Sequence, residues 1–317
     1  MSELEKKVAF VTGGSRGVGA ATLEITLILC PVDFSEFSVM AYRHALSLAE
    51  HYRARLVAQH IVELWQHPSA GFAATAGDYE EYWQALVEKG KEQLQGFVKN
   101  HTHDEIQPEL VVHEGTAPDS ILSFSQVQKA DVIVMGTHGR RGFDRLMLGS
   151  VTDRVMRRAT CPVLAVHKAP PDSVAAGKEW HYVHHLNRIL FCADFSKNSE
   201  RALNYAISAT AEYDCELTLL HVLEEVPSLA KTEEAIAVAT EQLAKLIPPG
   251  LHRTRKIQTA VRIGKPYQQI IELALEAHTD LVTMGVRGRD ALDLAVFGST
   301  TYRVMQLGPC PVLAVHV

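Results

Sequence analysis

The sequence predicts an α/β protein built from two tandem doubly wound parallel sheets, each of five strands. Two observations carry that prediction. Apolar, β-branched runs alternate with stretches of helical periodicity across short connections. The whole series then occurs a second time: CPVLAVH stands at 161–167 and again at 310–316, a shift of 149. At that shift, 22 of the 56 positions in Val112–His167 are identical to those in Val261–His316. Earlier segments match at a shift of 161, with Asp33-Phe34-Ser35 over Asp194-Phe195-Ser196, His60 over His221 and Glu63 over Glu224. The difference of twelve falls in a Trp/Ala/Gly-rich insertion near 65–78 of the first copy.

The elements follow in order. Ile25–Val32 is too apolar for a half-exposed strand and suits a parallel sheet covered on both faces. Ser35 is a fitting N-cap for a helix that sets Phe37, Met40, Ala41, His44, Ala45 and Leu48 on one face. A strand at Leu56–Val62, a long helix at Asp78–Lys99 and a strand at Glu109–His113 come next. Then follow a helix at Pro118–Val127, a strand at Asp131–Met135, a glycine-rich loop, a helix at Ser150–Arg158 and a strand at Pro162–Val166. The second copy repeats this order from Ile189 to Val315. With about 150 residues per domain, 317 residues read as two. The expected division is a leader over 1–24, a first domain over 25–168, a linker over 169–186 and a second domain over 187–317.

Composition narrows the function. Apolar residues at 47% and charged residues at 21% are ordinary for a folded protein. With 31 Lys and Arg against 37 Asp and Glu, the net charge of −6 gives no general attraction to nucleic acid or an anionic membrane. No apolar run approaches the roughly 18 residues of a spanning helix, and the start lacks the apolar centre of a signal peptide. The five cysteines, Cys30, Cys161, Cys192, Cys215 and Cys310, contain no C-x-x-C pair and read as inert thiols of a reducing compartment, so the expected location is cytoplasmic.

In a doubly wound sheet a ligand sits beyond the carboxyl ends of the strands, where the winding reverses. After the fourth strand the first copy reads Gly136-Thr137-His138-Gly139, nine residues, Gly149-Ser150. The second reads Gly285-Val286-Arg287-Gly288, nine residues, Gly298-Ser299. Glycines let backbone N–H groups approach phosphate oxygens, and Ser150 and Ser299 fall at helix starts, where an anion is favoured. Thr152, Thr300 and Thr301 can add hydroxyls; His138, Arg140 and Arg141, with Arg287 and Arg289, add donors or positive charge.

The Gly-x2-Gly-x9-Gly-Ser motif, the aspartate after the first strand (Pro31-Val32-Asp33 and Cys192-Ala193-Asp194) and the closing Cys-Pro-Val strand resemble the universal stress protein family in its tandem, two-domain form. The resemblance covers 25–167 and 187–317. It implies a 3-2-1-4-5 sheet of the adenine nucleotide alpha hydrolase-like kind, and ATP as ligand, with Mg²⁺ or Mn²⁺ beside it left open. By position, Asp33 and Asp194, with the adjoining Val32 and Ala193, would meet the adenosine part. Met135 and Met284 would border the base or ribose. Gly136, Gly139, Gly149 and Ser150, with Gly285, Gly288, Gly298 and Ser299, would hold the phosphates. Val151 departs from Thr300 of the other copy by lacking a hydroxyl. The resemblance further implies edge strands that meet, a homodimer through them being left open, and a protein partner that the sequence does not identify.

Lys7–Ala21 resembles the opening of a short-chain dehydrogenase, with Thr-Gly-x3-Gly-x-Gly after a strand. The context does not continue it: another fold begins within a few residues, and none of the nine tyrosines has Lys four positions on. Residues 1–24 therefore read as a leader rather than a cofactor site. There is no Walker A pattern, no nucleophile elbow and no carboxylate pair placed by a motif, so the residues name no catalytic group; slow hydrolysis of a bound nucleotide is left open. The recurring His60/His221 and His167/His316 read as structural histidines, and the alternative to a nucleotide-binding module is a ligand-free scaffold of the same fold.

Overall fold

The computed structural model describes residues 24–63, 76–102, 106–139, 148–167, 186–224, 229–248, 257–286 and 298–316. The chain divides into two compact units, the first over Ile25–Ala169 and the second in the C-terminal half. The expected leader, insertion and linker fall almost wholly outside the described residues.

In the first unit β1 (Leu27–Pro31), α1 (Glu36–Tyr52), β2 (Arg55–Val62), α2 (Ala76–His101), β3 (Glu109–Glu114), α3 (Ala117–Val127), β4 (Val132–Gly136), α4 (Ser150–Arg158) and β5 (Val163–Val166) follow one another. The strands lie in the order β3-β2-β1-β4-β5, and each pairing is parallel. The second unit repeats this with β6 (Arg188–Cys192), α5 (Lys197–Tyr213), β7 (Glu216–Leu223), α6 (Leu229–Leu246), β8 (Ile257–Ile263), α7 (Pro266–Glu276), β9 (Leu281–Gly285), α8 (Ser299–Leu307) and β10 (Val312–Val315). Its order is β8-β7-β6-β9-β10, again parallel. The fold is thus the predicted one in both units.

The central strands are buried along their length because helices cover both faces. Ile28, Leu29 and Cys30 in β1 have no exposed surface, nor do Ile133 and Val134 in β4. Helix α1 lies across β1 and β4, and α5 lies correspondingly across β6 and β9. The buried face of α1 is wider than the spacing predicts, because Tyr42, Leu46 and Ala49 join it while Phe37 and Met40 are half-buried. Tyr42 explains part of this: its hydroxyl meets Thr102 Oγ1 at 2.7 Å and its ring meets Phe97 at 5.3 Å, beside the end of α2.

The expected N-cap at Ser35 forms, and the second unit repeats it at Ser196. Ser35 Oγ accepts from Ser38 N at 3.2 Å, and Ser196 Oγ from Ser199 N at 3.3 Å. The first strand begins at Leu27 rather than Ile25, because the Asp131 carboxylate takes the N–H groups of Thr26 and Leu27 at 2.8 and 3.0 Å. Asp280 does the same for Asn187 and Arg188 at 2.8 and 2.9 Å.

Left-handed backbone also recurs in register. Among the described residues, the non-glycine cases pair as Phe34 with Phe195 (φ 64° and 59°), Arg53 with Asp214 (52° and 51°) and Lys129 with His278 (56° and 48°). Gly115 and Gly264 make a fourth pair, at 125° and 138°. Such positions are costly for side chains, so their recurrence reflects the same turns built twice.

Candidate functional site

The carboxyl ends of β1 and β4 meet at the reversal of winding, and the same is true of β6 and β9. At the first of these, Asp33 Oδ1 accepts from Ser35 N at 3.0 Å and from Ser35 Oγ at 2.6 Å. That turn puts Phe34 in left-handed backbone and lays its ring on His60, with centroids 4.5 Å apart. His60 in turn donates from Nδ1 to the Val32 carbonyl at 2.8 Å, which fixes its tautomer. The second unit matches: Ser196 N to Asp194 Oδ1 at 2.9 Å, Phe195 on His221 at 4.5 Å, and His221 Nδ1 to Ala193 O at 2.8 Å. His60 and His221 are therefore structural, as expected.

The motif glycines have separate physical reasons. Gly136 is not in the loop but ends β4, in register with Val166, and Gly285 likewise ends β9 opposite Val315. A Cβ on Gly136 would stand 2.7 Å from Phe37 Cβ and 2.9 Å from the Phe37 carbonyl carbon. On Gly285 it would stand 2.6 Å from the Asn198 carbonyl carbon and 2.7 Å from Ser199 N. Both first glycines thus admit the first turn of the helix that follows β1 or β6, and each closes its strand rather than opening the loop.

Gly139 faces Asp33: its Cβ would lie 2.7 Å from Asp33 Oδ2. Gly149 packs on the same loop, donating its N–H to Thr137 O at 2.8 Å. The structure therefore gathers Asp33, His138, Gly139 and Gly149 around one end of the sheet.

The helices that follow are open at their starts. Gly149 caps α4 and Gly298 caps α8, neither with a side-chain hydrogen bond, and Ser150 and Ser299 are exposed. N–H groups of a first helical turn have no partner within the helix and suit an anion. Thr152 does not serve that purpose, since its hydroxyl donates to the Gly136 carbonyl at 2.8 Å. Val151 and Thr300 are both half-buried.

Other expected contacts are narrowed. Val32 is buried, its N–H bonded to Gln59 O at 2.7 Å and its carbonyl to His60; Ala193 is held alike by Leu220 O at 2.8 Å and by His221. In each the N–H is used within the sheet, and the carbonyl oxygen keeps a second lone pair. Met135 and Met284 are 4% and 5% exposed, core residues with little side chain for a base to touch. His138 is half-buried, 5.0 Å from the Phe37 ring and 3.0 Å from Thr137 Oγ1 through Nδ1. Arg140, Arg287, Gly288 and Arg289 lie outside the described residues. Among the described residues no group of three or more His, Cys, Asp or Glu could hold a metal ion.

Burial pushes the Cys30 and Cys192 thiols far up and those of Cys161 and Cys310 up to about 12, so these cysteines are poor nucleophiles. Sequence reasoning passed over Glu63, whose Oε1 accepts from Ala117 N at 2.7 Å at the start of α3. Its recurrence as Glu224 was the available signal. It also passed over Asn198, whose amide donates to the Val286 carbonyl; there the other copy has Phe37, so no recurrence marked it.

The architecture is that of an adenine nucleotide alpha hydrolase-like sheet present twice. The chain belongs to the universal stress protein family, whose model matches residues 25–167 and again 185–316. Universal stress protein MJ0531 of Methanocaldococcus jannaschii is 36% identical over 141 residues, covering 44% of this chain and 81% of that protein. Universal stress protein Rv2005c of Mycobacterium tuberculosis is 27% identical over 193 residues, covering 58% and 61%. The crystal structure of a universal stress protein from Archaeoglobus fulgidus covers 92% of this chain and 98% of its own, at 21% identity and a TM-score of 0.64, a likeness of fold. The dehydrogenase-like opening at Lys7–Ala21 finds no support in these matches: the family regions begin at residue 25, and that segment lies outside the described residues. Among the described residues no helix is long and apolar enough to cross a membrane.

Proposed function

We propose that this protein is a cytoplasmic, ATP-binding stress-response module with one nucleotide site at the carboxyl end of each sheet. The observation that carries the reading is the repeated helix start. In each unit a nine-residue helix begins on a glycine with no side-chain cap and an exposed serine, directly after the glycine motif. That donor set fits a phosphate chain, because N–H groups already aligned there need no reorganisation to receive negative charge.

In the first site Ser150 with the N–H groups after it in α4, and the Gly139 backbone, would face the phosphates beside Gly149, whose own N–H is held by Thr137 O, with His138 and Arg140 as neighbouring donors. Asp33 Oδ2, beside Gly139, would face the sugar. Gly298, Ser299, Thr300, Asp194 and the Arg287–Arg289 loop would act alike in the second. A divalent ion would ride with the phosphates, neutralising their charge; no residue is assigned to it. Binding alters the electrostatics of the loop after β4 or β9, which is how occupancy would reach a protein partner.

A second reading, a ligand-free scaffold, is favoured by one observation: Gly136, Gly285 and Gly139 each have a packing reason for lacking a side chain. Equilibrium binding of labelled ATP to the full chain, with mass spectrometry of whatever small molecule co-purifies, separates the two. The nucleotide reading expects saturable binding that is lost in the Gly139→Val, Gly288→Val double variant. No binding by the unmodified chain, and no thermal shift with ATP and Mg²⁺, would leave the scaffold.

A further inference from the structure

The two units differ at one contact that bears on how each would receive an anion. In the first, the Thr137 carbonyl accepts the Gly149 N–H at 2.8 Å, so the residue capping α4 is tied back to the loop after β4. In the second, the matching Val286 carbonyl accepts the side-chain amide of Asn198, and Asn198 is 8% exposed. Among the described residues, no bond joins the Gly298 N–H to Val286 O. The first unit cannot make the same arrangement, because Phe37 stands where Asn198 does and its ring lies 5.0 Å from His138. The main chain is otherwise alike, since Gly136 and Gly285 both admit the first turn of the following helix.

Resting on the nucleotide reading above, we infer that Asn198 is a positioning residue that makes the second unit the tighter phosphate site. By holding the Val286 carbonyl, the amide keeps the end of β9 fixed and leaves the Gly298 N–H to an anion. In the first unit the Gly149 N–H is already engaged by the loop. One more hydrogen bond to a charged oxygen is worth about a factor of ten in affinity. The difference falls on the phosphates alone, because Asn198 touches the loop after β9 rather than the turn around Asp194.

The test uses the full chain with the first site disabled by Gly139→Val and compares ATP with adenosine by isothermal titration calorimetry. Asn198→Leu keeps much of the side-chain volume, removes the donor and adds no charge; Asn198→Gln keeps the donor. The expected result is an ATP affinity lowered about tenfold by Asn198→Leu, kept at least in part by Asn198→Gln, and an adenosine affinity that neither changes. Equal losses for ATP and adenosine, or no loss for either, would overturn the inference, and thermal unfolding without nucleotide identifies a variant that has lost its fold. In that event Asn198→Ser, a smaller side chain that also shortens the donor's reach, replaces it under the same two readouts. Failure of the unmodified chain to bind ATP at all would refute the nucleotide reading itself, and the role of Asn198 with it.

Discussion

Two glycine-to-alanine changes in the first unit should move stability in opposite directions. In Gly136→Ala the new methyl would lie 2.7 Å from Phe37 Cβ, 2.9 Å from its carbonyl carbon and 3.0 Å from its carbonyl oxygen. Two of those three atoms are main chain, so relief requires the first turn of α1 to retreat by about 0.7 Å from the sheet. Overpacking of this kind costs about 1–3 kcal/mol, and backbone contacts put this case in the upper part of that range. Gly96 lies in α2 with nothing within 4 Å of an added Cβ, so Gly96→Ala should stabilise by about 0.5–1 kcal/mol through helix propensity. Equilibrium unfolding in urea, followed by circular dichroism at unchanged slope, reads both. Gly285→Ala, with contacts of 2.6 and 2.7 Å, should act like Gly136→Ala in the second unit. A Gly136→Ala protein as stable as its parent would refute the packing account of the first motif glycine.

Further outcomes follow from burial and backbone. Burial lowers the pKa of His44 from 6.5 to about 4, so the unfolded chain binds that proton more tightly. Its contribution is complete above about pH 6.5 and is lost as pH falls toward about 4. Between pH 7 and 4.5 the parent should therefore lose about 2 kcal/mol more than His44→Gln in urea titrations. The raised thiols of Cys30, Cys161 and Cys310 should resist alkylation at pH 8 in the native protein and react once urea is added, as peptide mass spectrometry would read. His278→Gly, which relieves a left-handed residue at φ 48°, should raise stability by about 1 kcal/mol in calorimetry; a loss would mean the side chain matters more than its backbone.

The fold was legible in the sequence because its signals were repeated and local. Apolar runs marked strands, Ser35 marked a helix start, and the doubled CPVLAVH set the period. The site was legible only in part, since a glycine in a motif does not say what occupies the space where its side chain would be. Gly136 makes room for a helix and Gly139 for a carboxylate, two reasons that look the same in one dimension. The main-chain bonds of Val32 to Gln59 and His60, and of Ala193 to Leu220 and His221, could not be read in advance, because they depend on which strand lies alongside. Asn198 gave no signal because its work depends on a carbonyl 88 residues away.

The close approach of α1 to Gly136, and of α5 to Gly285, gives each crevice a floor in which peptide groups meet peptide groups. Such a floor depends on the absence of one side chain and hardly at all on the identity of the others around it. Duplicated halves can then drift apart in sequence while their crevices keep the same depth. What remains free to vary is the rim, where Phe37 in one half and Asn198 in the other already give two answers to the same geometry.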